Sequence, residues 1–379
     1  MKERIWLSPP HLSGSELALV EEAFQSNWVT SIGENINVFE EQLKNFLRDS
    51  VEVCTLNSAT SAIHLALKLL GVSAGDEVIT STFSFIASAN PIVYCGAKPV
   101  FIDSEPETWN MCPEALEFAI KNRNLNGIIP KAIIVVHLYG MPAKMDEIIA
   151  IADKYKIPLI EDSAEALGAK YKNRNCGTFG DFGVFSFNGN KIITTSGGGA
   201  LICHSKKDKE KAIFLATQAR DEAPHYQHSI TGYNYRMSNI LAGIGRAQMN
   251  VLEERVEARR RINQFYINIF KNIGGVEVFS EPSSDFYSNH WLTAIVIDAS
   301  KTGKSSEGLR LALQEENIES RPLWKPLHLQ PIFSDALYFG SHISEDLFDK
   351  GLCLPSGSSL SNSQLERIEK VIIKYFNKI

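Results

Sequence analysis

The sequence predicts an α/β protein, with a large domain on a mainly parallel sheet over residues 1–250 and a smaller α+β domain over 251–379. Three observations predict it. The 379 residues exceed what one hydrophobic core usually organises, so two units are expected. From residue 51 short apolar runs alternate with helical patterns, the signature of βαβ units. After residue 250 that alternation gives way to a long charged helical pattern.

Along the chain, VEVCTL (51–56) reads as the first strand and SAIHLALKLLGV (61–72) as its helix. DEVITST (76–82), a helical FIASANPIVYCG (85–96) and KPVFID (98–103) repeat the unit. AIIVVHLYG (132–140), a helix through MDEIIAIADKYK (145–156) and PLIED (158–162) continue it, and GVFSF (183–187) and GALIC (199–203) follow. Such strands are apolar on both faces, as parallel strands covered by helices are. Residues 249–273 form an amphipathic helix striped by Leu252, Val256, Ile262, Phe265, Tyr266 and Ile269, which bridges into the second unit. There WLTAIVID (291–298) reads as a strand and LERIEKVIIKYFNKI (365–379) as a closing helix.

Composition narrows the function. A net charge of -6 argues against nucleic acid as a partner. The six cysteines lack a CxxC pair and sit partly in apolar runs, as free buried thiols do, which fits a reducing cytoplasm. The N-terminus lacks the apolar core of a signal peptide, and no run approaches the ~18 apolar residues of a membrane span. A cytoplasmic protein without a membrane partner is expected.

Three motifs carry chemistry. NSATSA (57–62) follows a strand and opens a helix, where free N–H groups and hydroxyls suit a phosphate; Ser58 also reads simply as an N-cap. PLIED places Glu161 and Asp162 at the carboxyl edge of the sheet, where open α/β folds bind ligands. Asp162 suits a protonated ring nitrogen, or a cap on a following helix. In VFSFNGNKIITTSGGG (184–199), Lys191 follows a polar turn and precedes three glycines, which suits an amine approached by a flat ligand; a hairpin with an exposed lysine is the plainer reading. With TFSF (82–85) as an aromatic face, the motifs supply a phosphate cradle, a stacking ring, a carboxylate and an amine. Those parts hold pyridoxal phosphate. His225 and His228 show HxxH spacing without a further ligand, so no metal is assigned.

The chain resembles the DegT/DnrJ/EryC1/StrS family of sugar-nucleotide aminotransferases, which share the aspartate aminotransferase (type I) fold of PLP-dependent transferases. LSPPHLSGSE, SNWVTSIGE, NSATSAIHLAL, TFSFIASANPI, VHLYGMPAKMDEI, EDSAEALGAKY, GTFGDFGVFSFNGNK, GYNYRMSNILAGIGRAQM and RPLWKPLHLQPIF carry the likeness in family order. The resemblance implies Lys191 as the catalytic lysine, Asp162 at the ring nitrogen, Phe85 stacked on the ring, and Ser58, Ala59, Thr60 and Ser186 around the phosphate. It implies that Asn234 reaches the phosphate of a neighbouring subunit, making the active form a homodimer with shared sites. Asn27, Trp28, Val29 and Thr30, with Arg321, Trp324, Lys325 and His328, lie where the family gathers substrate contacts; packing is the alternative for each.

Three positions depart from the common family text: Asn188 replaces a His, SGGG replaces GEGG, and Glu165 replaces a Gln beside the cofactor's phenolic oxygen. The first two resemble the bacillosamine branch, the UDP-4-amino-4,6-dideoxy-N-acetyl-glucosamine transaminases. The expected activity is therefore PLP-dependent amination of a UDP-linked 4-keto-6-deoxy-N-acetylhexosamine, with L-glutamate as donor. The alternatives are another keto-sugar, 3-keto or dTDP- or GDP-linked, and a non-catalytic sensor of PLP or nucleotide-sugar. An intact Lys191 opposes both the sensor and a sugar dehydratase, whose lysine is replaced by His.

Overall fold

The computed structural model describes residues 3–48 and 50–377. Eight strands form one sheet, in the spatial order Glu52–Leu56, Gly199–Cys203, Phe182–Ser186, Leu159–Asp162, Ala132–Val136, Glu77–Ser81, Lys98–Ile102, Leu337–Phe339. All run parallel except Gly199–Cys203, which is antiparallel to both neighbours.

Strand side chains alternate between faces, and here both faces are apolar. Cys54, Val78, Ile134, Ile160, Val184 and Leu201 pack under the helices Ala59–Leu69 and Lys206–Ala216. Their strand neighbours Ile79, Ile133 and Val135 pack on the other side, against Pro113–Leu125 and Met145–Tyr155. Val53, Phe185 and Ile202 face the helix Glu34–Leu47. Burial on both faces is what the uninterrupted apolar runs encode.

A second sheet of four antiparallel strands, Val276–Val278, Thr293–Ile297, Gly351–Leu354 and Arg321–Pro322, shares a core with the helices Leu252–Phe270, Ser306–Glu315 and Asn362–Asn377. Residues 378 and 379 of the expected closing helix lie outside the described residues. Two segments stitch the units together. Near the N-terminus, Ile5 bridges Ile318, and the N–H of Leu7 donates to Glu319 Oε2 at 3.1 Å. Leu337–Phe339 crosses back to pair with Lys98–Ile102, and the Asp103 carboxylate accepts the N–H groups of Ser341, Ile343 and Ser344.

Two expected helices differ in the structure. Residues 85–96 hold a 3₁₀ turn, Ile86–Ser88, and a short helix, Asn90–Tyr94, because Pro91 opens a helix but cannot sit inside one. The expected helix 249–273 begins at Leu252 and ends at Phe270, a separate helix, Asn239–Met249, having ended just before it. The six cysteines are free, and all but Cys112 are buried. No helix of the described residues is long and apolar enough to cross a membrane.

Candidate active site

Five parallel strands end at Leu56, Ser81, Val136, Asp162 and Ser186, and the reversed strand begins at Gly199 on the same edge. The loops leaving that edge enclose a cavity of about 300 Å³. Ten of the residues expected in the site line it: Ser58, Ala59, Thr60, Phe85, Asp162, Glu165, Ser186, Asn188, Lys191 and Trp324.

Ser58 is extended, at φ -166° and ψ 160°, and its Oγ accepts the N–H of Ser61 at 3.1 Å. The capping reading of Ser58 is thus correct, and it leaves the anion reading intact. The N–H groups of Ala59 and Thr60, first in the helix, have no acceptor four residues back, and they line the cavity at the positive end of the helix dipole. Gly199 permits this closeness: a Cβ there would lie 2.4 Å from the nitrogen of Ala59.

Asp162 ends its strand with no helix after it, so it caps nothing. Its buried carboxylate accepts Ser88 Oγ–H at 2.6 Å and the N–H of Ala164 at 3.2 Å. Ser88 in turn lies 2.7 Å from Ser84 Oγ. Phe85 is 50% exposed and tilts 50° from Trp324 at 5.4 Å, leaving a ring face for a ligand.

The hairpin reading of 184–199 is half right. Phe182–Ser186 and Gly199–Cys203 do pair antiparallel, but the connection folds inward and the Lys191 side chain is only 12% exposed. Its Nζ sits 3.5 Å from Glu165 Oε1 and 3.9 Å from the ring centroid of Trp291. The other Glu165 oxygen accepts the N–H of Tyr139 at 2.7 Å. Tyr139 has φ +52°, a conformation uncommon for a residue with a side chain, and functional sites concentrate such positions. Burial raises the Glu165 carboxyl above its ordinary range, opposed by Lys191 and the Tyr139 N–H.

Other expected residues lie outside the cavity of this chain. Asn234 is exposed within 217–238, and its carbonyl accepts Asn57 Nδ2–H at 3.3 Å. Asn27, Trp28, Val29 and Thr30 are exposed, tethered where Asn239 donates to the carbonyls of Trp28 and Thr30. Arg321 and Lys325 line an adjoining cavity of about 470 Å³ that shares Asn190, Trp291 and Trp324 with the first. His328 is built into packing: it stacks on Tyr338 at 3.8 Å, with Nδ1 2.7 Å from Thr82 Oγ1 and Nε2 3.2 Å from Glu345. His225 and His228 lie near Gln227 and the Gln218 carbonyl.

Sequence reasoning missed Ser88, Trp291 and Tyr139. Ser88 had a signal, three residues past Phe85 in a segment of small residues. Tyr139, in the 3₁₀ turn Leu138–Gly140, and Trp291, just before the strand Thr293–Ile297, carried no chemical signal of their own.

The donor set fits pyridoxal phosphate. Helix-start N–H groups and hydroxyls suit its phosphate, the Phe85 face its ring, the Asp162 carboxylate its pyridine nitrogen and Lys191 its aldehyde, all in one cavity.

Comparison with known proteins agrees. The DegT/DnrJ/EryC1/StrS aminotransferase family matches residues 10–373. The chain is 52% identical to EpsN of Bacillus subtilis, named as a pyridoxal phosphate-dependent aminotransferase, over all of this chain and 97% of that protein. It is 39% identical to the GDP-perosamine synthase of Escherichia coli O157:H7, over 97% of each. The crystal structure of a DegT DnrJ EryC1 StrS aminotransferase from Brucella abortus superposes with a TM-score of 0.89 at 30% identity, covering 96% of both chains. The fold is therefore that of the PLP-dependent transferases, and the chain belongs to the DegT/DnrJ/EryC1/StrS family as a PLP-dependent sugar aminotransferase.

Proposed function

We propose that the protein moves the amino group of L-glutamate to carbon 4 of a UDP-linked 4-keto-6-deoxy-N-acetylhexosamine, giving the equatorial amine of bacillosamine-type biosynthesis. The observation that carries the transamination is the placing of Lys191 Nζ in one cavity with the Asp162 carboxylate and the capped helix start at Ser58. The NGNKIITTSGGG stretch supports the choice of sugar. A GDP-linked keto-sugar is the second reading, favoured by the likeness to GDP-perosamine synthase.

When bound, the cofactor supplies an aldehyde that carries the amino group and a ring that withdraws electrons from the bond being broken. The chain's residues do the rest. Ala59 and Thr60 N–H, with the hydroxyls of Ser58, Thr60 and Ser186, hold the phosphate. Phe85 covers one ring face. Asp162, fixed by Ser88 and Ala164, pairs with the ring nitrogen. Lys191 Nζ takes the proton from the donor's α-carbon and later delivers one to the sugar carbon. Glutamate and sugar use the same site in turn, so the kinetics are ping-pong.

The same reading assigns Asn234 to the site of a second copy and Asn27 to Thr30, Arg321, Trp324 and Lys325 to the nucleotide-sugar. The exposed apolar side chains of Leu17, Phe24, Trp28, Val29 and Ile32 support a homodimer that covers them. Relative kcat/KM over UDP-, GDP- and dTDP-linked 4-keto and 3-keto sugars tests the substrate. The UDP 4-keto-6-deoxy-N-acetyl sugar is expected to be the best, and a higher value for a GDP-linked sugar would replace it with the second reading.

A further inference from the structure

A buried cation behind the site has no carboxylate partner among the described residues. Arg259, on the helix Leu252–Phe270, is 1% exposed, and burial, with Arg255 nearby, brings its guanidinium down to about 9. Such burial is costly unless specific acceptors repay it. The acceptors here are the carbonyls of Trp291 at 2.5 Å and Ser356 at 3.2 Å, and Ser8 Oγ at 3.0 Å.

Two of those partners converge on one atom. Ser8 Oγ–H and Trp291 Nε1–H both donate to the carbonyl oxygen of Asn190, each at 2.7 Å, and that peptide leads directly into Lys191. The backbone N–H of Trp291 donates to Asn289 Oδ1 at 2.8 Å. Asn289 Nδ2 donates to the carbonyls of Glu165 and Leu167, both at 2.9 Å. Asn289 also needs the absence of a side chain at Gly140, where a Cβ would lie 1.8 Å from Asn289 Oδ1. The indole ring itself lies under the Lys191 ammonium at 3.9 Å. The indole N–H of Trp291 is thus committed to the peptide that leads into the amine, and its backbone N–H and carbonyl to Asn289 and Arg259.

We propose that Trp291 is a positioning residue for Lys191: its ring seats the free ammonium, its N–H fixes the turn that carries it, and Arg259, Ser8 and Asn289 lock the indole in place. The inference rests on Lys191 being the catalytic amine. A lysine side chain has four rotatable bonds, so an amine that lets go of the cofactor in every turnover must be kept near the place to which it returns. A ring face at 3.9 Å and a carboxylate oxygen at 3.5 Å do that without a covalent tie.

Trp291→Phe keeps a ring and loses the N–H, Trp291→Leu loses both, and Ser8→Ala removes the second donor to Asn190. In the cofactor-free protein, acylation of Lys191 by acetic anhydride, read by peptide mass spectrometry against the exposed Lys325, should be about 10-fold faster in Trp291→Leu than in wild type and about 3-fold faster in Trp291→Phe. With cofactor bound, kcat should fall while KM for L-glutamate stays within about 2-fold. Ser8→Ala combined with Trp291→Phe should lose more kcat than the product of the single losses, because each donor alone still holds the shared carbonyl. Unchanged labelling in folded Trp291→Leu, or in Trp291→Phe where the leucine variant does not fold, overturns the proposal. So does a rise in KM alone, which would make Trp291 a substrate wall. Lys191→Ala retaining turnover would instead remove the reading on which the proposal rests, whatever the Trp291 variants do.

Discussion

The edge of the large sheet and the segment 321–325 both present charged and aromatic residues to neighbouring cavities, but they are held in opposite ways. At the sheet edge the groups are bonded within the chain: Asp162 by Ser88 and Ala164, Glu165 by Tyr139, Ser58 by Ser61. In 321–325, the exposed Arg321 guanidinium donates to Glu319, Lys325 is exposed, and Trp324 reaches the first cavity. Groups that do the chemistry must be in place before the ligand arrives, since a misplaced proton carrier loses rate steeply. Groups that recognise a large polar substrate can stay solvated until it binds. The comparison assigns loss of kcat to the edge and loss of affinity to the segment.

Lys191→Ala should give the largest effect, a loss of turnover of about 10,000-fold in a protein that stays folded. Single-turnover kinetics alongside circular dichroism check this. Near-normal turnover would leave the edge without its central group.

Asn234→Ala comes next. If a second copy's phosphate site includes it, cofactor affinity should fall by about 1–3 kcal/mol, the range for a buried polar partner left unsatisfied. Mixing it with Lys191→Ala under conditions where subunits exchange should restore part of the activity, because a heterodimer assembles one intact site. No recovery would confine each site to a single chain.

Arg321→Ala should raise KM for the nucleotide-sugar about 10-fold while leaving KM for L-glutamate and the first half-reaction unchanged. A fall in kcat for both halves would erase the distinction between edge and segment.

Glu165→Gln should have the smallest effect and a definite sign. Burial raises the Glu165 carboxyl in the folded protein, so ionising it costs stability at pH above the folded value and nothing below the ordinary value of 4.5. The cofactor-free glutamine variant should therefore melt higher than wild type at neutral pH, with the difference closing as pH falls toward 4.5. A glutamine variant that melts lower than wild type at neutral pH would mean that the carboxylate is stabilised, with Lys191 outweighing burial.

The apolar strand runs, the glycines before Gly199, the capped helix at Ser58 and the acidic end of PLIED are local patterns. Each depends on a period, a cap or a chain direction, so they announced the edge of the sheet and the cofactor correctly. Length of pattern was less reliable: Pro91 shortened one expected helix, and a two-residue turn at 250–251 delayed the start of another. The family likeness carried the identity further than periodicity could. It did not predict how His328 is packed against Tyr338 and Thr82, because stacking between residues distant in sequence leaves no trace in either stretch.

By itself, then, the sequence determined the order of strands and helices and the edge that gathers the candidate site, since these follow from side-chain alternation and the chirality of βαβ connections, and it singled out Lys191 as the lysine proposed to act there. Only the tertiary structure decided that a tryptophan 100 residues downstream lies beneath that lysine, that Ser88 holds Asp162, and that the buried Arg259 ties Ser8 to Trp291. Those contacts join segments with no local signal for one another, and they form only when close packing brings separate parts of the chain within hydrogen-bonding distance.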